Sequence, residues 1–168
     1  MNTNEKTLFE NHYIVECLDS NGNLKWTDEF DNLVTNVGLN DNLDKYLKGS
    51  AYTAAFYVGL TDGTPTTAAA DTMASHAGWA EVTAYSESVR QTLTLGTVAS
   101  QSVDNSASKA SFSINGTATV GGAFIVTDNT KSGTTGVLYG VGAFTGGDKS
   151  VSNGDTLNVT VTCTAASA

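Results

Sequence analysis

Apolar and polar residues alternate through the last third of the chain, and this alternation is the clearest structural signal in the sequence. In residues 156–163, Asn and Thr separate the apolar positions Leu157, Val159, Val161 and Cys163. A period of two is typical of a half-buried β-strand, because successive side chains point to opposite faces of a sheet. The segment therefore predicts a strand with one face against a core.

Further strand candidates follow residue 88, and short runs of Gly, Asn, Asp and Ser separate them. The full set lies at 89–95, 97–103, 108–114, 117–127, 134–144 and 156–163. Turn signals at this density predict an antiparallel β-sandwich or a jelly-roll-like domain. We therefore assign the chain to the mainly β class.

The N-terminal part combines a hairpin with a segment of helical period. Asn21-Gly22 lies between the apolar-rich runs of residues 12–30, and this dipeptide tolerates the positive φ of a tight turn. In residues 35–48 the apolar side chains recur at helical spacing, at Leu39, Leu43, Tyr46 and Leu47. Thr35 or Asn36 can cap this segment. We expect one short N-terminal α-helix that plugs the open end of a sheet or packs on one of its faces.

These elements predict a single domain over residues 1–168, because this length suits one compact core. Its parts are a polar, flexible N-terminus at 1–11, a hairpin, helix and strand at 12–61, an irregular loop or arm at 62–88, and sandwich strands at 89–164. The arm contains the only proline and a run of small residues. A connection of this length is typical of a functional surface loop or of an arm that packs on a neighbour.

The charge and hydropathy of the chain argue against several classes of partner. The formal net charge is −9 with eight Lys and Arg, which lacks the basic surface that phosphate binding needs. The sequence has no apolar run long enough to span a bilayer and no basic segment followed by an apolar one at Met1. We therefore expect no nucleic-acid partner, no membrane insertion, and synthesis in a cytoplasm.

The candidate chemical groups do not form a catalytic motif. His12 and His76 have no second ligand at metal spacing. The nucleophile elbow G-x-S-x-G is absent from the sequence. The glycines of VGGAF and YGVGAF lack the Lys-Ser/Thr that ends a phosphate-binding loop. Asp62, Asp148 and Asp155 fit either a structural ion or ordinary turn chemistry, and the missing D-x-D-x-D-G loop favours the second. We expect no enzymatic activity, no cofactor and no metal.

Cys17 and Cys163 lie in strand-like segments near the two ends of the chain. They fit either a disulfide that ties these ends together or two small buried side chains. Because free thiols are the usual state of cysteine in cytosolic proteins, the missing export signal favours the second alternative.

Aromatic residues are concentrated in the N-terminal half, where they fit two roles. They fill the core between helix and sheet, or they anchor an interface, at which Trp and Tyr are enriched. Trp79 is the foremost candidate for an anchor, since it lies in the arm and small residues flank it. Trp26 and Tyr85 are the other two candidates.

Residues 32–63, NLVTNVGLNDNLDKYLKGSAYTAAFYVGLTDG, resemble a family of tailed-bacteriophage virion structural proteins. In that family a strand, a short T-N-x-G-L-N-x-x-L-D helix and a strand ending in V-G-L follow in this order. The segments ADTMASHAGWAEVTAYSESVRQTL, GGAFIVTDNTKSGTTGVLYGVGAF and VSNGDTLNVTVT are similar to later blocks of the same family. The resemblance covers the chain from about Tyr13 to Thr164.

The resemblance implies a non-enzymatic protein of the virion, and within it a head decoration (cement) protein on the capsid surface, assembled in the host cytoplasm. Copies of such a protein bridge neighbouring major capsid subunits and resist internal DNA pressure through many weak contacts. The resemblance also implies a homo-oligomer, trimer or dimer, that matches the local symmetry of the shell. We expect the N-terminal strands and the 62–88 arm at the contacts.

Two other roles stay open. A phage tail or fibre component that contacts the host surface predicts repeats or a coiled-coil linker, and neither is present in this sequence. A glycan-binding jelly-roll module predicts aromatic platforms on the surface, for which Trp26 and Trp79 are candidates.

Overall fold

The computed structural model describes residues 7–52 and 55–167. Within these ranges the chain forms twelve strands, helix α1 (Asn36–Asn42), a π-helical turn at Leu43–Leu47 and a 3₁₀ turn at Ser106–Ser108. The strands are β1 (Thr7–Leu18), β2 (Leu24–Asp31), β3 (Leu33–Val34), β4 (Tyr57–Thr61), β5 (Gln91–Thr92), β6 (Ser102–Asp104), β7 (Ala110–Ser113), β8 (Ala118–Val120), β9 (Gly122–Val126), β10 (Leu138–Ala143), β11 (Lys149–Val151) and β12 (Thr156–Ser167). No helix of the described residues is long and apolar enough to cross a membrane.

Ten of the strands form two antiparallel sheets. In the first sheet the order is β2-β1-β12-β6, and β7 pairs with the other end of β12. In the second sheet the order is β3-β10-β9-β4-β5, while β8 and β11 form a separate pair. The longest ladder runs from Thr7 opposite Ser167 to Leu18 opposite Thr156. The first and last strands of the chain are therefore the centre of the first sheet.

The alternating residues of the central strands build the core between the two sheets. Tyr13, Val15 and Cys17 of β1 are fully buried, as are the facing positions of β12. They pack in one cluster with side chains of the second sheet, among them Val58, Leu60, Ala123 and Ile125. The predicted mainly β fold, an antiparallel sandwich with one short helix, is confirmed. Jelly-roll topology stays a prediction.

The arm at 62–88 covers the outer face of the second sheet. Its Met73 and Trp79 pack on Phe124, Val126, Leu138 and Val141, which point away from the first sheet. This second layer explains why every residue of β9 is buried: its side chains face the sandwich core and the arm in turn. Met73 and Trp79 thus pack the arm on its own chain, whereas many of its other residues are exposed. Its role as a functional surface loop or as an arm that packs on a neighbour stays a prediction.

A buried ion pair fixes the end of the arm. The guanidinium of Arg90 donates to the Glu81 carboxylate at 2.8 Å, and both side chains are almost fully buried. Arg90 also donates to the carbonyl oxygens of Asp128 and Gly133, at 2.8 and 2.7 Å. A charge taken out of water has to be paired and hydrogen-bonded, and this one is. The arm is therefore tied to the loop between β9 and β10.

Several predicted elements differ from the structure, and the predicted strand 89–95 is reduced to β5. Residues 7–11 form the start of β1, so the predicted flexible N-terminus is wrong for them, and residues 1–6 lie outside the described residues. The predicted strand 97–103 is reduced to β6, because Ser100 and Gln101 have positive φ values of 51° and 57°, which no β-strand accommodates. Strand β11 was not predicted, since its three residues are too short to show a period.

The two cysteines lie far apart along the longest ladder. Cys17 pairs with Leu157, whereas Cys163 lies opposite Asn11, six positions further along β1. At 3.3 Å per residue this separates the two thiols by roughly 20 Å, several times the Cα–Cα reach of a disulfide. Both cysteines are free, and the disulfide alternative is wrong.

We predict that Glu81→Ala lowers the free energy of unfolding by about 3–5 kcal/mol, because it leaves the Arg90 guanidinium buried and unpaired. Lys48→Ala is the matched control, since it removes an exposed ion pair with Asp44 at 3.1 Å and should cost less than about 1 kcal/mol. Urea denaturation of both variants and the wild type measures the difference. Equal losses in the two variants would contradict the role of the buried pair.

Candidate functional site

Helix α1 rests on the sandwich through its polar and glycine side. The Thr35 hydroxyl accepts a hydrogen bond from the Gly38 amide at 3.1 Å and donates to the Leu138 carbonyl, which caps the helix and ties it to β10. A Cβ at Gly38 would lie 2.6 Å from the carbonyl oxygen of Tyr139, so only glycine allows this close approach. One turn later, Asn42 donates to the Tyr139 hydroxyl at 3.0 Å. The helix therefore buries little of its own apolar surface.

The apolar stripe that the sequence predicted points to solvent instead. The exposed fractions of Leu39, Leu43, Tyr46 and Leu47 are 38, 56, 88 and 72%, and that of the nearby Tyr52 is 53%. We call these five residues the apolar face. A surface helix normally turns such a stripe toward the core. Contiguous exposed apolar surface of this kind is typical of protein contact sites.

A pocket of about 330 Å³ opens beside the apolar face. The residues that line it come from the helix, the segment after it, the loop that follows β5 and the second sheet, together with the end of β12. They are Asp41, Asn42, Lys45, Tyr46, Tyr52, Phe56, Leu93, Leu95, Ile125, Tyr139 and Cys163. Tyr46 and Tyr52 belong both to the pocket and to the apolar face, so the two form one continuous surface.

The pocket wall holds its weak acids in their neutral forms. Burial raises the pKa of the Cys163 thiol to about 11, so it is protonated at neutral pH and is a poor nucleophile. Burial also raises the pKa of Tyr52 and of Tyr139. The thiol and the two phenols are therefore uncharged at neutral pH, and Asp41 and Lys45 are the formally charged side chains of the lining.

The N-terminal end of β1 presents an open sheet edge. Strand β2 pairs with β1 only as far as His12 opposite Asp31, and the Asn32 amide then donates to the Asn11 carbonyl at 3.1 Å. Backbone groups of alternate residues point to the same side of a strand, so those of Phe9 point to this open side. No strand of the described residues pairs with Phe9 on that side, and its side chain is exposed.

The predicted interface anchors Trp79 and Tyr85 are buried within their own chain, so this prediction is wrong for both. The ring of Trp79 lies 3.7 Å from that of His76 and 5.0 Å from that of Phe124, under the arm. Tyr85 packs edge-on against Phe112 in the main core. Trp79 is buried although the small residues beside it, Ala77, Gly78 and Ala80, are exposed.

Trp26 lies on β2 and is half-buried, with its ring 5.8 Å from that of Phe144. Its role as an anchor stays a prediction. The structure does not bring the three candidates together: Trp79 belongs to the arm cluster, Tyr85 to the main core, and Trp26 to the periphery of that core.

The remaining titratable candidates are engaged locally. His12 Nδ1 lies 2.9 Å from Asp31 Oδ1 on the exposed face of the first sheet. Each turn carboxylate accepts a hydrogen bond: Asp62 from the Ala80 amide, Asp148 from the Thr64 hydroxyl and Asp155 from the Lys25 ammonium, at 2.6–2.7 Å. Among the residues described, no three His, Cys, Asp or Glu side chains come together as metal ligands.

Sequence reasoning missed the pocket, although one signal of it was present. Tyr46, Tyr52 and Phe56 crowd into eleven residues between the helix and β4. An aromatic cluster in a connecting segment has no reason to occur unless it covers or lines something. The helical spacing of the apolar residues predicts that they share one side of the helix, but it does not show whether that side faces the core or the solvent.

We predict that Cys163 reacts with maleimide at pH 8 roughly a hundredfold more slowly than an exposed cysteine, because its pKa of about 11 lies two units above the ordinary value of 9.0. The rate should rise about tenfold per pH unit up to about pH 11. Tyr52→Ala should accelerate labelling by opening the pocket, and Leu24→Ala, at the far end of the sandwich, should not. Peptide mass spectrometry separates Cys163 from the fully buried Cys17. Equal rates for the two variants would show that Tyr52 does not close the pocket.

Comparison of the chain with protein-family models and with curated proteins found no match. The features of the molecule that bear on its function are the apolar face, the pocket and the open edge of β1.

Proposed function

We propose that this chain is a non-enzymatic structural protein of a tailed-phage virion, a decoration protein that stabilises the head by bridging major capsid subunits. The observation that carries the proposal is the uncovered apolar face. The phage-like segment T-N-V-G-L-N-D-N-L-D, residues 35–44, supplies both the cap that fixes the helix and the leucines that it presents to solvent. The resemblance and the exposed surface therefore coincide in the same residues.

The packing of the rest of the molecule makes it rigid, as a structural part of an assembly has to be. Two sheets share one core, the arm closes the outer face of the second sheet, and the Arg90–Glu81 pair ties the arm down. Strand β12 presents Thr160 and Thr162 on the opposite face of the first sheet. With a net charge of −9, this polar face keeps decorated particles soluble and mutually repelling.

The open edge of β1 is the part that we assign to the shell. An exposed strand edge can accept a strand of another protein, whose backbone hydrogen bonds provide affinity without a deep cleft. Phe9 supplies a backbone amide and carbonyl on this edge together with an exposed ring. This assignment keeps the expected contact role of the N-terminal strands.

A second candidate function is favoured by the pocket. Its walls contain Tyr46, Tyr52, Phe56 and Tyr139 beside the polar groups of Asp41 and Asn42, and its size suits a small molecule or one sugar unit. A glycan-binding module, on a phage tail or elsewhere, would use these tyrosines instead of the buried Trp79. A glycan array distinguishes this role from decoration, since a decoration protein should bind shells and no sugar.

We predict that the purified protein co-sediments with shells of the phage that encodes it and raises the temperature at which they release DNA. Phe9→Pro should weaken this binding roughly fivefold to tenfold beyond Phe9→Ala, because proline removes an amide hydrogen bond on the open edge while both variants lose the ring. The ladder to β12 does not use that amide, so circular dichroism and urea midpoints should agree between the two variants. Shells that bind neither the wild type nor its variants would refute decoration, and equal binding by the two variants would refute the edge assignment.

A further inference from the structure

We propose that the apolar face is where two copies of this chain pair, as a dimer with a two-fold axis near Leu43. The pairing goes beyond the proposed function and does not depend on it, because self-association is a property of the chain alone. The size, charge and symmetry of the face each support a second copy as its partner.

The size of the face matches what a stable dimer needs. Taking roughly 200 Å² for a fully exposed large side chain, the five residues and the adjoining Leu95 expose roughly 700 Å². A standard protein interface buries about 800 Å² on each partner. The largest apolar patch on a typical monomer is about 300–600 Å², and this face, even without its backbone and hydroxyl atoms, belongs to the upper part of that range.

The helix is a surface on which two acidic molecules can meet without net repulsion. The charged residues of helix and turn are Asp41, Asp44, Lys45 and Lys48, and their formal charges cancel in a chain of net charge −9. Asp44 pairs with Lys48 at 3.1 Å and with Lys45 at 3.5 Å. On the outer face of the first sheet, Glu29 and Asp31 lie beside His12, and Glu16 pairs with Lys109. The helix is therefore a surface along which a second copy can approach without net repulsion.

An antiparallel pairing makes the face complementary to itself. With the axis at Leu43, Leu39 of one copy lies opposite Leu47 of the other, and Leu43 packs on its own counterpart. The same alignment also sets the two helix dipoles head to tail, which is the favourable orientation. A two-fold interface needs this kind of self-complementarity.

The pairing would also close the pocket beside the face. Tyr46 and Tyr52 form part of both, so the helix of a second copy covers the mouth through which reagents reach Cys163. The reactivity of this thiol therefore reports on association: its labelling rate should fall as protein concentration rises, on top of the slow intrinsic rate set by its raised pKa.

We test the pairing by sedimentation of the full chain over a wide range of concentrations, in which we expect a monomer–dimer equilibrium. Leu43→Glu should weaken the association at least about a hundredfold, because the two-fold axis brings two carboxylates together in an apolar surface. Leu24→Glu is the matched control: Leu24 is 59% exposed and Leu43 56%, but Leu24 lies at the opposite end of the β1–β12 ladder. At protein concentrations low enough for both variants to be monomeric, their urea midpoints should be alike.

A second pair of variants tests the geometry directly. A residue near a two-fold axis lies close to its own counterpart, so Leu43→Cys should form an intermolecular disulfide under mild oxidation, which mass spectrometry maps, and Leu24→Cys should not. A chain that stays monomeric at all concentrations and does not cross-link overturns the proposal, as does a dimer that Leu43→Glu leaves intact. Loss of shell binding in Leu43→Glu while the wild type is monomeric would assign the face to the shell and also overturn it. Failure of the wild-type dimer to bind shells would refute decoration and leave the pairing standing.

Discussion

The antiparallel ladder between β1 and β12 is the constraint on which the rest of the structure depends. It joins the two ends of the chain from Thr7–Ser167 to Leu18–Thr156, and the other strands of the first sheet attach to its sides. Its inward residues, such as Tyr13 and Val159, are fully buried and form the floor of the core. Because the ladder continues past the end of β2, it also produces the open edge at Phe9 and carries Cys163 into the pocket.

Unlike most surface helices, α1 turns its apolar stripe to solvent, and the cause is its contact with Tyr139. Gly38 touches the backbone of Tyr139 so closely that a larger side chain does not fit, and Asn42 meets the tyrosine hydroxyl. With these two residues against the sheet, the helical period places the leucines on the far side. Burying a large apolar side chain is worth about 1.5–3 kcal/mol. In the monomer the side chains of the apolar face stay exposed, and a partner that buries them gains several contributions of this size.

The sequence predicted the features that depend on near neighbours. The alternation from Leu157 to Cys163, the Asn21-Gly22 turn and the Thr35 cap all depend on residues within a few positions of one another, and all three are present. The features it did not predict depend on distant contacts. The burial of Trp79 requires the outer face of the second sheet, and the direction of the helical stripe requires the backbone of Tyr139. An irregular arm has no period, so nothing in residues 62–88 alone indicates which side is covered.

The open edge of β1 and the apolar face become more effective when they act together. A single strand edge offers few hydrogen bonds, each worth about 1 kcal/mol net, and by itself binds weakly. If two copies pair through their helices, each dimer carries two such edges, and the second binds at the high effective concentration that the first imposes. Overall affinity can then exceed that of one edge by a factor of about 10²–10⁴ without any new contact. Dimerisation through the helix, whose charges cancel, thus allows an acidic protein with a weakly binding strand edge to attach firmly to the shell.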